Sequence, residues 1–305
     1  MKNQIVPCPN PDSPMKPWPA LAPLGKMLRL RGCGGTLFYY DTGSVSGKTK
    51  PVLILIHGLG DEADSWRRLI PLLDDFRVLA LDLPGFGRST APGRINLKRH
   101  AAAVLALLEE TGPATLAGSS MGASVVGEAA AARPDLVEAL IFLDGCIPLA
   151  GSLDKRLILM TLPVAGKKWY RSFRTDHEGA WQSLFGYYAD IMSLPEEDRQ
   201  FLRERVIARV ESPAQERAYF ASLRSLIWTN VMIKRRFARF ITRFPGKILI
   251  IWGTEDKVLP SESARIVREL RPDTIFSLIP GAGHLPHQEK PAETAALFLQ
   301  FSLRK

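Results

Sequence analysis

Residues 115–124 read TLAGSSMGAS, with Ser119 and Ser120 side by side in a run of small residues. A serine that acts as a nucleophile where a strand turns sharply into a helix sits on a strained backbone. The residues two before and two after it must then be small, which gives the pattern G-x-S-x-G. Gly118 and Gly122 meet that need for Ser120, whereas the same positions around Ser119 are Ala117 and the bulky Met121. Ser120 is therefore the candidate nucleophile. Serine is a poor nucleophile at neutral pH and needs an imidazole as base, itself oriented by a carboxylate. Two later segments offer these groups. In IWGTEDKVLP (251–260) the acids Glu255 and Asp256 follow an apolar run, and in IPGAGHLPHQEKP (279–291) His284 sits in a Gly-rich turn.

These residues need elements to hold them. PVLILIHG (51–58), FRVLALDLPG (76–85), ATLAGSS (114–120) and EALIFLDG (138–145) are continuous apolar runs that end in turn residues. Strands covered on both faces of a parallel sheet read this way, because neither face meets water. Helix-like segments lie between them at about 65–73, 96–111 and 121–133. KILIIWG (247–253) and TIFSLIPG (274–281) are two further strands around a helix near 261–271, and a last helix covers about 291–303. Strand–helix alternation of this kind predicts an α/β fold, a mostly parallel central sheet with helices on both faces. Two regions depart from it. Residues 1–26 form a tail with seven prolines in the first 25 positions, expected to pair in no strand and form no helix. Residues 146–245 carry helical periodicity and no convincing strand, so they are expected to be an inserted helical subdomain between the core segments 27–145 and 246–305. MLRLRGCGGTLFYYDTG, with its turn at Gly32–Gly35, reads as a hairpin.

With its Ser…Asp…His order, the chain resembles the α/β-hydrolase superfamily, in its cap-bearing serine esterase and C–C hydrolase-like branch. The resemblance covers residues 27–303 and rests on HGLG (57–60), DLPGFGRS (82–89), GSSMG (118–122), and WGTEDKVLP with GAGHLPHQEKP. It implies a Ser120–His284–Asp256 triad, the family's W-G-x-x-D spacing selecting Asp256 over Glu255. It also implies that Leu59, after His-Gly, and Met121, after the nucleophile, give backbone N–H groups to an oxyanion hole. Asp144 ends the strand after the nucleophile helix, where some members place the triad acid. Members that open epoxides or displace halides use aspartate at the elbow, so serine here argues against those reactions. The C–C hydrolases often have asparagine before the nucleophile and a longer Gly-rich oxyanion loop; this chain has Ser119 and HGLGDEADSW.

The expected reaction is cleavage of a carboxylic ester or related acyl substrate through an acyl-enzyme, by a carboxylesterase. The alternatives are C–C hydrolysis of vinylogous diketone acids, acyl transfer or perhydrolysis, and a ligand receptor that keeps the triad. No cofactor and no metal is expected. Asp82 is expected to brace the Pro84–Gly87 turn and His57 to pack beside the oxyanion loop. His287 would rim the pocket or face solvent, and His100 and His177, which carry no motif, are read as surface residues. The insertion is rich in aromatics, among them Trp169, Tyr170, Tyr187 and Tyr219, and would roof the serine. It also holds 17 basic against 10 acidic residues, most of the net charge of +9. Lys234, Arg235, Arg236, Arg239 and Arg243 make a basic helix stripe there; a solvated face is its plain reading, and attraction to anionic surfaces its functional one. No nucleic-acid motif is present. The odd set of cysteines, Cys8, Cys33 and Cys146, the lack of an apolar leader and the lack of a membrane-length apolar run point to the cytoplasm; a monomer or homodimer is expected.

Overall fold

The computed structural model describes residues 4–6, 15–30, 34–43, 50–145, 160–162, 164–232 and 234–303, with the backbone alone at 4–6, 229–232 and 234–236. Among the described residues nine strands form one sheet: β1 (Gln4–Val6), β2 (Gly25–Arg29), β3 (Thr36–Asp41), β4 (Val52–Ile56), β5 (Arg77–Leu81), β6 (Ala114–Ser119), β7 (Val137–Leu143), β8 (Lys247–Gly253) and β9 (Ile275–Ile279). Their order across the sheet is β1-β2-β3-β5-β4-β6-β7-β8-β9. The first three join antiparallel, and every pair from β5 to β9 is parallel.

The apolar runs are buried on both faces because successive side chains of a strand point opposite ways. Along β4, Ile54 and Ile56 enter one apolar cluster, and Leu53 and Leu55 enter the other. Helices α1 (Leu97–Thr111) and α2 (Met121–Ala132) cover the first side with Val104, Leu107 and Val125. The second side is closed by Trp66, Leu69 and the Phe298 and Phe301 pair of the C-terminal helix Pro291–Leu303. The fold is α/β with a mostly parallel sheet between two helical layers.

Between β7 and β8 the described residues form no strand. They hold α3 (Ala165–Ser172), α4 (His177–Gln182), α5 (Glu196–Glu211), α6 (Pro213–Met232) and α7 (Lys234–Arg243). Phe237 and Ile241 on α7, and Phe244 just after it, are buried against the core. The side chains of Lys234, Arg235 and Arg236 lie outside the described residues, as do Cys8, Cys33 and Cys146.

Three expectations are corrected. The proline-rich tail does enter the sheet: Gln4–Val6, a proline-free triplet, pairs antiparallel with Met27–Arg29 at the edge, and Pro19–Leu24 forms a 3-10 helix. An edge strand needs only one row of backbone partners, so prolines on its flank do not forbid it. Residues 65–73 are not a helix but two 3-10 turns, Ala63–Trp66 and Ile70–Leu72. Pro71 in their midst has no N–H to continue an α-helical ladder. His100 is fully buried rather than at the surface. It stands on the inner face of α1 with Leu97, Val104 and Leu107, and its Nε2 is 2.8 Å from Ser222 Oγ. No helix among the described residues is long and apolar enough to cross a membrane.

Candidate active site

The parallel strands end on one edge of the sheet, and the loops leaving those ends carry the chemistry. Ser120 follows the last residue of β6 and opens α2 with φ 53° and ψ −117°. A non-glycine residue at positive φ is strained. The elbow is tight on both flanks. A Cβ on Gly118 would come within 2.3 Å of the Gly122 backbone, and one on Gly122 within 2.3 Å of the Ile56 carbonyl oxygen. Real Cβ atoms never approach so closely, which is why glycine stands at both positions. Ser120 lines a cavity, whereas the neighbouring Ser119 is completely buried and its Oγ has no hydrogen-bond partner among the described residues.

Asp256 lies in the loop after β8. Its Oδ1 accepts the N–H groups of Val258 (2.8 Å) and Leu259 (3.0 Å), and its Oδ2 is 2.8 Å from His284 Nδ1. Three contacts thus fix the carboxylate and leave His284 Nε2 on the ring's far side. Glu255 is exposed, so the structure pairs the histidine with Asp256. A Cβ on Gly253 would come 2.1 Å from the Gly283 carbonyl, so glycine here lets the acid loop and the histidine loop meet. The histidine loop is also tied to the helical segment: His284 N–H donates to the Tyr187 carbonyl at 2.8 Å. Glu289 accepts from Gly283 and Ala189 N–H, each at 2.7 Å, clamping both segments.

Ser120 and His284 face one cavity of about 360 Å³, together with Leu59 and Met121. A volume of that size suits a small organic ligand. The strand-end loops floor it. Its other wall comes from the helices between β7 and β8, including Trp169, Tyr170, Phe173, Tyr187, Tyr188 and Tyr219. Trp181 and Phe220 instead pack inside that segment, and Trp228 is exposed. Two charged residues besides His284 are among the described lining residues, Asp61 and Arg209, and they pair at 2.6 Å. Arg209 also lies 3.3 Å from Glu62. Behind them Arg205 meets Glu62 (2.6 Å), and Arg88 bridges Asp64 and Asp82 at 2.7 Å each. Burial raises Glu62 above the ordinary carboxylate range, against the pull of Arg205 and Arg209.

The motifs single out none of Asp61, Glu62, Arg205, Arg209 and Glu289 as site neighbours, because their pairing joins residues a hundred or more positions apart. Of the remaining histidines, His57, His100 and His287 are buried. His57 Nε2 accepts the Leu83 N–H at 2.9 Å and Nδ1 lies 2.7 Å from the Gly58 carbonyl. Burial lowers its pKa below the usual value. His287 does not rim the cavity or face solvent: it is fully buried, 2.8 Å from Ser65 Oγ and stacked on Trp66, and burial pushes its pKa down to about 3. Asp82 accepts the Ala63 and Arg88 N–H groups at 2.7 and 2.6 Å, the turn-bracing role expected of it. His177, half exposed, lies 3.3 Å from Glu211.

A strained serine and a carboxylate-held imidazole on one apolar cavity are parts for nucleophilic acyl chemistry. The model of the Alpha/beta hydrolase family matches residues 53–297, more than three quarters of the chain. The chain belongs to that family. The hydrolase is 25% identical over 279 residues to Lipase 1 of Psychrobacter immobilis, covering 88% of this chain and 81% of that one. It is 27% identical over 268 residues to the 2-hydroxy-6-oxo-6-(2'-aminophenyl)hexa-2,4-dienoic acid hydrolase of Metapseudomonas resinovorans, covering 85% and 86%. Among solved structures, Cfl2 of Burkholderia cenocepacia superposes with a TM-score of 0.78 at 22% identity, over 91% of the hydrolase and 95% of Cfl2, which is a likeness of fold. One group of metal-capable donors occurs among the described residues of the hydrolase: Asp144, Asp256 and His284, one atom of each within 4.8 Å of the others. Two of the three are already joined by the His284–Asp256 hydrogen bond.

Proposed function

We propose that this hydrolase is a carboxylesterase that cleaves an apolar acyl ester through an acyl-enzyme. The observation that carries the reading is the 2.8 Å His284–Asp256 pair on the same cavity as Ser120, the serine held at positive φ. In this reading Ser120 Oγ attacks the ester carbonyl while His284 Nε2 takes its proton. His284 then hands that proton to the leaving alkoxide, and a water repeats the sequence on the acyl-enzyme. Asp256 keeps the Nδ1 proton in place and stabilises the imidazolium. The N–H groups of Leu59 and Met121 receive the oxyanion; losing one such donor costs about 10²–10³ in rate. The helices between β7 and β8 act as a cap that excludes water and selects the acyl group.

The cavity favours a neutral substrate. Its one arginine, Arg209, is matched by Asp61 and Glu62, which leaves no uncommitted cation among the described lining residues for a substrate carboxylate. That weighs against C–C hydrolysis of a dienoic acid, the second reading, which the Metapseudomonas relative supports. A panel of p-nitrophenyl esters of graded chain length decides between them, run beside a vinylogous diketone acid. We expect ester turnover that falls by about 10⁴-fold or more in Ser120→Ala and persists in Ser119→Ala. Inert esters with rapid dienoate cleavage would replace the reading by the C–C hydrolase. Single turnover without release would replace it by a receptor.

A further inference from the structure

Asp144, at the end of β7, has no part in the mechanism above. Its side chain is fully buried. It and Ser120 are the two non-glycine residues at positive φ among the described residues, with φ 45° at Asp144. Its Oδ1 accepts the Gly253 N–H at 2.8 Å. Among the described residues its Oδ2 accepts no hydrogen bond, a costly state for a buried carboxylate oxygen.

The ionisable groups that face Asp144 come from the two neighbouring loops: Asp256 and His284, with Glu289 farther along. Among the described residues, none of the groups that chiefly act on it is a cation. On the neighbouring loops, His284 Nδ1 and the Val258 and Leu259 N–H groups are spent on Asp256. With both acids ionised, two buried negative charges would share one imidazole. A proton on Asp144 removes the repulsion and supplies the missing donor. Burial is the chief cause that holds the Asp144 carboxyl well above the usual carboxylate range. The charge of Asp256, hydrogen bonding to it and the charge of Glu289 add to that, against the opposing Gly253 N–H.

We infer that Asp144 carries its proton at neutral pH and donates its O–H to the Asp256 carboxylate, as a positioning residue for the acid that holds His284. The two acids then divide the work. Asp256 keeps the charge, and Asp144 supplies a further donor that fixes the carboxylate without adding charge beside the imidazole. This rests on the reading of Asp256 and His284 as acid and base, and the test separates the two.

The test compares wild type with Asp144→Asn and Asp144→Leu. Asparagine tolerates positive φ, accepts the Gly253 N–H through its Oδ1 and can donate from Nδ2, all without charge. Difference infrared spectroscopy at pH 7 should show a protonated-carboxyl C=O band in wild type that is missing from Asp144→Asn. The acid limb of the kcat/KM profile on a p-nitrophenyl ester should not move in Asp144→Asn, because no charge is removed. Leucine cannot donate, and kcat should fall about 10-fold with KM unchanged. The inference is overturned if no such band is lost, if the acid limb of Asp144→Asn drops by about one unit as it would on deleting an ionised neighbour, or if folded Asp144→Leu keeps wild-type kcat. Should Asp144→Leu show no cooperative thermal unfolding, the infrared band and the asparagine profile decide. Esterase activity surviving in Ser120→Ala would sink the reading of the site, yet the band would still report on Asp144.

Discussion

The two walls of the cavity are built on different terms. The core wall hangs from strand ends, where backbone packs on backbone: Gly118 against Gly122, Gly122 against Ile56, Gly253 against Gly283. Nothing larger than glycine fits at those contacts, which lie beside Ser120, Asp256 and His284 in the chain. The opposite wall is made of side chains on α3, α5, α6 and the 184–188 turn, mostly aromatic or aliphatic. Its members need only be apolar and of suitable size, so one can replace another. Under the proposed function, the first wall would carry the chemistry and the second would select the acyl group.

Breaking the core wall should cost most. Asp256→Asn keeps the shape of the side chain but lets the wrong imidazole tautomer form, and kcat should drop by about 10⁴-fold. Glu255→Gln, one residue away and exposed, should leave kcat unchanged. Equal loss in both variants, measured on one ester, would show that the loop rather than the His284–Asp256 bond matters. On the opposite wall the effect should be smaller and of another kind. Tyr219→Ala enlarges the cavity beside Gly60. It should shift kcat/KM among acyl chain lengths by about 10-fold toward bulkier chains, with little change for the shortest ester. A uniform fall across all chain lengths would blur the division between the walls.

The same contrast explains what could be read without coordinates. The core wall was legible because its constraints act over short spans: a glycine two residues from a serine, an acid three residues after Trp-Gly, a histidine in a glycine turn. The parallel strands were legible as continuous apolar runs. Pairings made only in space were not. Asp61 meets Arg209 across 148 residues and Ala189 meets Glu289 across 100, with nothing in either local sequence to mark them. His100 carries no catalytic motif, and its burial is written instead in the helical spacing of Leu97, Val104 and Leu107 around it. Residues 65–73 look apolar and helical until Pro71 is weighed. Asp144 shows the limit from the other side, since its place at a strand end was plain but its nearness to Asp256, and an oxygen that accepts no hydrogen bond among the described residues, were not.

The central claim is that Ser120, and not its neighbour, is the acylated residue. A fluorophosphonate forms a stable bond to an activated serine, and tandem mass spectrometry of the digested protein locates it. One adduct is predicted, on Ser120, formed at the wild-type rate in Ser119→Ala, much more slowly in Asp256→Asn and not at all in Ser120→Ala. An adduct on Ser119, or labelling of Ser120→Ala at the wild-type rate, would contradict the account.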